Sequence, residues 1–83
     1  MKKEIIPLTA LGEGQSGIVS EVQGELSGRL CDLGLTPGAK VSVIMRAPLG
    51  DPTAYRIRGV VTAIRKKDAA GVLVKPIAGE GEQ

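Results

Sequence analysis

The chain has 83 residues, of which 11 are basic and 9 acidic, so its net charge is +2. This length favours a single domain with a small core, and such balanced charge does not indicate a nucleic-acid-binding protein. The single cysteine excludes an internal disulfide and fits a reducing compartment. Tyr55 is the only aromatic residue, so the core must be aliphatic, and RNA recognition by base stacking lacks its aromatic platforms.

The first residues do not resemble a targeting segment. Lys2, Lys3 and Glu4 precede a short apolar stretch at Ile5–Leu8. A secretory signal needs an apolar region of roughly 7–15 residues, and a transmembrane helix needs about 20. We therefore expect a cytoplasmic protein that does not insert into a membrane, although it could lie at the inner membrane through a partner.

Short apolar runs between closely spaced glycines predict a mainly β protein. The 12 glycines give a rhythm of brief strands and turns that is typical of a small barrel or sandwich. The predicted strands are residues 5–8, 17–22, 39–47, 55–58, 60–65 and 72–74. From the alternation of side chains we expect Val41, Val43 and Met45 to share the core face of one strand. Tyr55 and Ile57 should face inward from the next.

A short α-helix is predicted over residues 25–33. Leu26, Leu30 and Leu33 recur at i, i+4 and i+7, which places them on one helix face. Gly34 follows at the position where a glycine commonly ends a helix. We expect the three leucines to close the open end of the barrel.

The remaining part of the chain predicts a short helical turn and a tail. Residues 66–70 should form the turn, which ends at Gly71. Residues 78–83 are polar and glycine-rich, with no apolar anchor, and this composition predicts a disordered tail. The sequence therefore predicts one folded domain over residues 1–77.

The Pro48–Pro52 loop is the most distinctive local feature. Its two prolines fix φ, Gly50 permits positive φ, and Asp51 can bond its neighbouring backbone. These properties predict a preorganised loop. Two interpretations remain open: a rigid hairpin connection, or a recognition loop with Leu49 at its tip.

The residues needed for catalysis or firm metal binding are scarce. Histidine, the commonest acid–base residue and transition-metal ligand, is absent. Cys31 stands alone, so it can form neither a Cys–His pair nor a thiolate cluster. No second carboxylate lies close to Asp51 in sequence for paired acid–base work, and the glycines do not follow a nucleotide-binding pattern. We therefore expect no enzymatic activity, no cofactor and no metal site, and a function in binding a partner protein.

Four arginines fall on predicted strands: Arg46, Arg56, Arg58 and Arg65. If their strands are neighbours, they would form a basic strip. The usual explanation of such a strip is a solvated sheet face, and the alternative is a docking surface for an acidic partner or for phosphates.

Three segments together resemble one protein family. Leu30–Gly38 resembles the pattern L-x-D-L-G-L-x-P-G, Ala47–Pro52 continues the match, and Ala63–Ala69 resembles a closing a-L-R-x-x-x-A pattern. In this order and at this spacing they are similar to the FeoA family, small cytoplasmic proteins of bacterial ferrous iron uptake. The resemblance runs from about Leu8 to Val74.

The resemblance implies an SH3-like small barrel and a partner. That partner is the FeoB-type membrane GTPase transporter, which carries the GTP-binding domain and the ferrous iron pathway. The family pattern does not name an interaction surface, so our candidates rest on the residues themselves. The candidate partner-binding residues are Leu49, Gly50, Asp51, Arg56, Arg58 and Arg29.

Two other functions remain open from the sequence. Gly14–Val19 resembles the glycine-rich strand of nucleic-acid-binding SH3-like domains, although the balanced charge argues against nucleic acid as a partner. Alternatively, carboxylates could supply hard oxygen ligands for weak ferrous iron binding that changes the assembly state. Homo-oligomer formation is left open too, because a strand edge can be exposed in a small barrel.

Overall fold

The computed structural model of the protein describes residues 4–77. In chain order its elements are β1 (Ile6–Pro7), a 3-10 turn (Leu8–Ala10), β2 (Ser16–Val22), α1 (Ser27–Asp32), β3 (Lys40–Arg46), β4 (Thr53–Ile57), β5 (Val60–Ile64), α2 (Lys66–Ala69) and β6 (Val72–Pro76). The mainly β prediction is confirmed, and both predicted helical segments are present in shorter form. The tail predicted at residues 78–83 lies outside the described residues.

The strands form one antiparallel sheet in the order β1-β6-β2-β3-β4-β5. A tight hairpin joins its last two strands: Ile57 pairs with Val60, so only Arg58 and Gly59 make the turn. Both turn residues have positive φ, 51° and 84° respectively, as a type I′ turn requires. The hairpin leaves β5 at the end of the sheet, where β4 is its only strand neighbour within residues 4–77.

One face of the sheet packs on a single hydrophobic core. Val41 and Val43 of β3 and Tyr55 and Ile57 of β4 are buried there, as predicted. The other core residues are Leu8, Leu11, Val19, Leu30, Leu35, Ala39, Ile64, Ala69, Val72 and Val74. Each fully buried aliphatic side chain contributes about 1.5–3 kcal/mol relative to its exposed state. Because strands from both ends of the sheet meet at one core, the sheet has to wrap around it as a small barrel does.

The prediction that Met45 lies in the core is wrong, because β3 contains a bulge. Val43 pairs with Tyr55, but Met45 pairs with Ala54, so the register shifts by one residue at Ile44. An extra residue on one strand reverses the alternation beyond it. Met45 is consequently 57% exposed.

The predicted leucine stripe contributes only Leu30 to the core. Because α1 covers just Ser27–Asp32, Leu26 and Leu33 flank the helix and do not stack on successive turns of it. Both are exposed, and the fully buried Leu35, which follows the helix, fills the core instead. The expectation that three helical leucines close the barrel is therefore wrong for two of them.

Burial of Tyr55 predicts a loss of stability in alkaline solution. Removal of its phenol from water raises the pKa of Tyr55 above the ordinary value of 10.0; the charge of Asp51 raises it further, while a hydrogen bond with Thr53 and the charge of Arg46 oppose the rise. A raised folded-state pKa contributes stability that is complete below about pH 10 and is lost as the pH rises through the folded-state pKa.

Tyrosinate absorbance during an alkaline titration reports this ionisation directly, since the chain has one tyrosine. We expect the free energy of unfolding, measured with urea, to fall less for Tyr55→Phe than for the wild type as the pH is raised above about 10. Parallel losses in the two proteins would contradict the assignment to this phenol.

Candidate partner-binding surface

The Pro48–Pro52 loop is held in shape by its own backbone. The N–H of Gly50 donates to the carbonyl of Ala47 at 2.7 Å, and the N–H of Ala47 donates to the carbonyl of Pro52 at 3.0 Å. Gly50 has a φ of +88°, which glycine adopts without a steric penalty. Leu49, at the tip of this closed turn, is 96% exposed.

Asp51 fastens the loop to α2. Its Oδ1 accepts a hydrogen bond of 2.8 Å from the N–H of Lys66, the first residue of that helix. The first N–H groups of a helix have no partner within the helix, and Arg65, immediately before α2, makes no side-chain cap. Asp51 therefore caps α2 from another part of the chain, whereas the sequence predicted a bond to its neighbouring backbone.

The loop presents Leu49 in a form suited to binding. A leucine side chain that stays in water gains nothing from folding, but its burial against a partner would be worth about 1.5–3 kcal/mol. Because the turn and the Asp51 contact already order the backbone, a partner would pay little conformational entropy to bind it. The loop is thus a rigid connection with an exposed apolar tip, and recognition of a partner through Leu49 stays a prediction.

Removal of the Asp51 carboxylate should destabilise the protein by about 0.5–2 kcal/mol, the usual cost of losing a helix cap. We expect the Asp51→Ala variant to unfold at a temperature lower by roughly 4–8 °C per kcal/mol, measured by circular dichroism. Asp51→Asn is the matched control, since its side-chain carbonyl can still accept the N–H of Lys66. Equal unfolding temperatures for Asp51→Ala and the wild type would show that the contact contributes nothing.

Arg58 is exposed at its backbone turn but its guanidinium is engaged. Nε donates to the carbonyl of Gly34 at 3.3 Å, and Nη2 donates to Oγ1 of Thr36 at 2.9 Å. Both acceptors belong to the Leu30–Gly38 segment, the first of the three segments that resemble the family. Arg58 therefore links the β4–β5 turn to the chain that follows α1, a structural contact that the sequence did not predict.

The predicted strip of four arginines is wrong for Arg46. Its guanidinium donates through Nη2 to the carbonyls of Thr9, at 3.1 Å, and Leu11. Its backbone N–H also donates to the carboxylate of Glu13, at 2.8 Å. These bonds attach the N-terminal turn to the end of β3, so Arg46 lies apart from Arg56 and holds the fold together.

The exposed Arg56 and Arg58 border a shallow depression on the outer side of the sheet. Its volume is about 410 Å³. The residues that line it are Gly38, Ala39, Lys40, Ser42, Arg56, Arg58 and Gly59. None of them is acidic, so the depression presents a basic surface to solvent.

The six candidate residues lie on separate surfaces. Leu49–Asp51 precede β4 and Arg58 follows it; with about 3.3 Å per residue, β4 separates them by more than 10 Å. Arg56 lies near Arg58 at the basic depression. Arg29 is exposed on α1, five residues before the Gly34 carbonyl that Arg58 contacts. The structure thus provides a loop surface and an arginine surface, and does not unite them.

Metal ligands do not cluster in the described part of the chain. Within residues 4–77, no three Cys, Asp or Glu side chains lie where they could hold one metal ion, and Cys31 is a half-buried free thiol. The same residues contain no helix with the length and apolar character required to cross a membrane.

Residues 6–76 match the family model described as the FeoA domain. The chain belongs to the FeoA family. It is 32% identical over 73 residues to a fusion protein of Fe(2+) transport protein A and the Fe(2+) transporter FeoB from Porphyromonas gingivalis, a match that covers 86% of this chain and 9% of the relative. The chain thus spans less than a tenth of the length of that relative.

Solved structures of FeoA proteins share the fold. The FeoA protein from Chlorobium tepidum is 38% identical, with a TM-score of 0.82 over 90% of this chain and 73% of that one. FeoA from Stenotrophomonas maltophilia, determined with zinc and described as an SH3 domain protein, is 25% identical, with a TM-score of 0.73 over 89% of each chain. The predicted SH3-like barrel is therefore confirmed.

Proposed function

We propose that this FeoA-family chain supports ferrous iron uptake by binding a FeoB-type membrane GTPase transporter. It would act in the cytoplasm, at the inner membrane, as an accessory protein without catalysis of its own. The observation that carries the proposal is the relative in which transport protein A and FeoB form one polypeptide. Fusion holds two domains at a high effective concentration, an arrangement that favours domains acting on each other.

The division of chemistry between the two proteins supports the same proposal. The transporter would hydrolyse GTP and conduct the ion, so its accessory protein needs only a surface that recognises it. Leu49, at the tip of the ordered Pro48–Pro52 loop, would be the apolar anchor. Leu49, Gly50 and Asp51 are the partner contacts that we favour. The arginine surface at Arg56 and Arg58, with Arg29 on α1, would add charge-dependent steering, which mainly raises the association rate.

Ferrous iron uptake in whole cells tests the proposal. We expect cells that lack this chain to accumulate labelled ferrous iron more slowly, and a plasmid copy of the wild-type chain to restore the rate. Uptake of labelled manganese serves as a control for general loss of transport. Unchanged ferrous iron uptake in the deletion strain, under conditions where the FeoB-type transporter is the main route, would contradict the proposed function.

A further inference from the structure

The two edges of the sheet differ in their protection. One edge is β1, which has two residues and ends in Pro7; short, proline-containing edges prevent pairing with other chains. The other is β5, Val60–Ile64, which contains neither proline nor charge. Val60 and Val61 are 62% and 51% exposed. An unprotected apolar edge of this kind is a surface for strand pairing.

The hairpin determines which backbone groups of β5 are free. In a two-residue hairpin the flanking residues, here Ile57 and Val60, exchange both hydrogen bonds. Hydrogen-bonded and open pairs then alternate along the ladder. The N–H and C=O groups of Val61 and Ala63 therefore point away from β4, and within residues 4–77 they have no hydrogen-bond partner. These four groups form a template for another strand.

Basic residues predominate in the part of the sequence that contains β5. Residues 38–67 carry seven basic side chains and one acidic side chain, a net charge of +6, while the rest of the chain carries four basic and eight acidic ones, a net charge of −4. Arg58 lies two residues before β5, in the hairpin turn, and Arg65–Lys67 directly follow the strand, with Asp68 next. The one acidic residue within residues 38–67, Asp51, is already bound to the N–H of Lys66. A segment on the edge would thus meet positive charge at both ends.

We propose that the β5 edge binds an extended acidic segment of a partner protein as an additional strand. Main-chain hydrogen bonds to Val61 and Ala63 would supply affinity, as in other cases of strand addition. Val60 and Val61 face opposite sides of the sheet, so the alternate apolar side chains of the segment would pack beside one of them. The acidic side chains would meet the arginines and lysines at the two ends. The inference goes beyond the proposed function, since it concerns a second surface and holds for any protein with such a segment.

A second copy of this chain is a poorer occupant of the edge. Antiparallel pairing of two β5 strands centred on Thr62 would place Arg58 of one copy opposite Lys66 of the other. It would also place both copies' basic ends side by side. Like charges directly opposite each other destabilise a strand pair, so charge complementarity favours the acidic segment.

A model peptide tests this edge without the transporter. The probe is a synthetic peptide of about nine residues in which valine and glutamate alternate, compared with its valine–lysine counterpart and with a scrambled glutamate peptide. By NMR we expect the alternating acidic peptide alone to bind saturably and to slow amide exchange at Val61 and Ala63. Absence of binding, or binding that leaves both amides unchanged, would overturn the proposal while leaving the proposed transporter function untouched.

A substitution at Ala63 provides the matched test. Ala63→Pro removes an outward N–H without taking a bond from the β4–β5 ladder, whereas Ala63→Ser keeps it. We expect the proline variant to bind the peptide at least about tenfold more weakly and the serine variant to bind like the wild type. Equal binding by both variants would overturn the proposal. If the proline variant does not fold, amide exchange at Val61 and Ala63 of the wild type, with and without the peptide, tests the proposal instead.

Dimerisation of the protein is the competing outcome. If it depends on concentration and protects the same two amides without peptide, the edge binds a second copy, and the proposal of an acidic segment is overturned.

Discussion

Replacement of Gly34 with alanine should destabilise the domain by about 3 kcal/mol, a large share of the stability of a chain this small. Gly34 has a φ of +107°, a conformation that costs a residue with a side chain roughly 1–3 kcal/mol. A Cβ there would also lie 2.9 Å from Cγ2 of Ile57 and 3.0 Å from Cδ of Arg58. The first neighbour is fully packed in the core, so relief would require movement of β4.

Gly28→Ala is the control for the Gly34 variant. Gly28 lies in α1 with ordinary φ, and a Cβ added there meets nothing within 4 Å. In a helix, alanine is more favourable than glycine by about 1 kcal/mol, so this variant should unfold at a higher temperature than the wild type. Thermal unfolding followed by circular dichroism compares the two. An unfolding temperature of Gly34→Ala equal to that of the wild type would contradict the close packing described for this motif.

Leu49→Ala should weaken binding to the FeoB-type transporter by about tenfold or more without changing the stability of the free protein. The expected loss corresponds to the transfer free energy of a leucine side chain that becomes buried only in the complex. Stability should not change, because the side chain is almost fully exposed in the free protein. Titration of both proteins against the transporter, with thermal unfolding of each, provides the two readouts.

Ile5→Ala serves as the control for the Leu49 variant. Ile5 is also an exposed aliphatic residue, but it lies before β1 and outside every candidate surface. We expect this variant to bind like the wild type. If Leu49→Ala binds as tightly as Ile5→Ala, the loop is a structural connection only, and the arginine surface becomes the first alternative.

Local features of the sequence were sufficient to predict the strands. The glycine spacing and the period-two alternation at Val41–Val43 and Tyr55–Ile57 predicted the strands and their buried faces. The resemblance of three segments in order, Leu30–Gly38, Ala47–Pro52 and Ala63–Ala69, to the FeoA family implied the barrel type. The alternation succeeds because it depends on residues close together in the chain, where backbone geometry decides which side chains share a face.

The features that sequence reasoning missed depend on tertiary contacts. The bulge at Ile44 moves Met45 out of the core, and no composition signal marks it. Arg46 bonds to carbonyls some 35 residues away in sequence, and Arg58 to groups more than 20 residues away. A single sequence does not distinguish an arginine that stabilises the fold from one that faces a partner. The difference is whether the folded chain brings a distant hydrogen-bond acceptor to the guanidinium.

The candidate site was predictable in part. Two prolines, a glycine and an aspartate indicated a preorganised Pro48–Pro52 loop with Leu49 at its tip, and the loop has that form. The bond from Asp51 to Lys66 could not be foreseen, because it depends on how α2 packs against the loop. Whether these residues contact a partner is a prediction that only binding experiments can test.

Direct binding to the intact transporter is the measurement that tests the central claim. The wild-type chain would be titrated against the full-length FeoB-type transporter of the same organism in lipid nanodiscs, without nucleotide, with GDP and with a non-hydrolysable GTP analogue. We predict saturable binding whose affinity depends on the nucleotide. Because both the cytoplasmic and the membrane regions are present, no binding in any nucleotide state would contradict the proposed partnership.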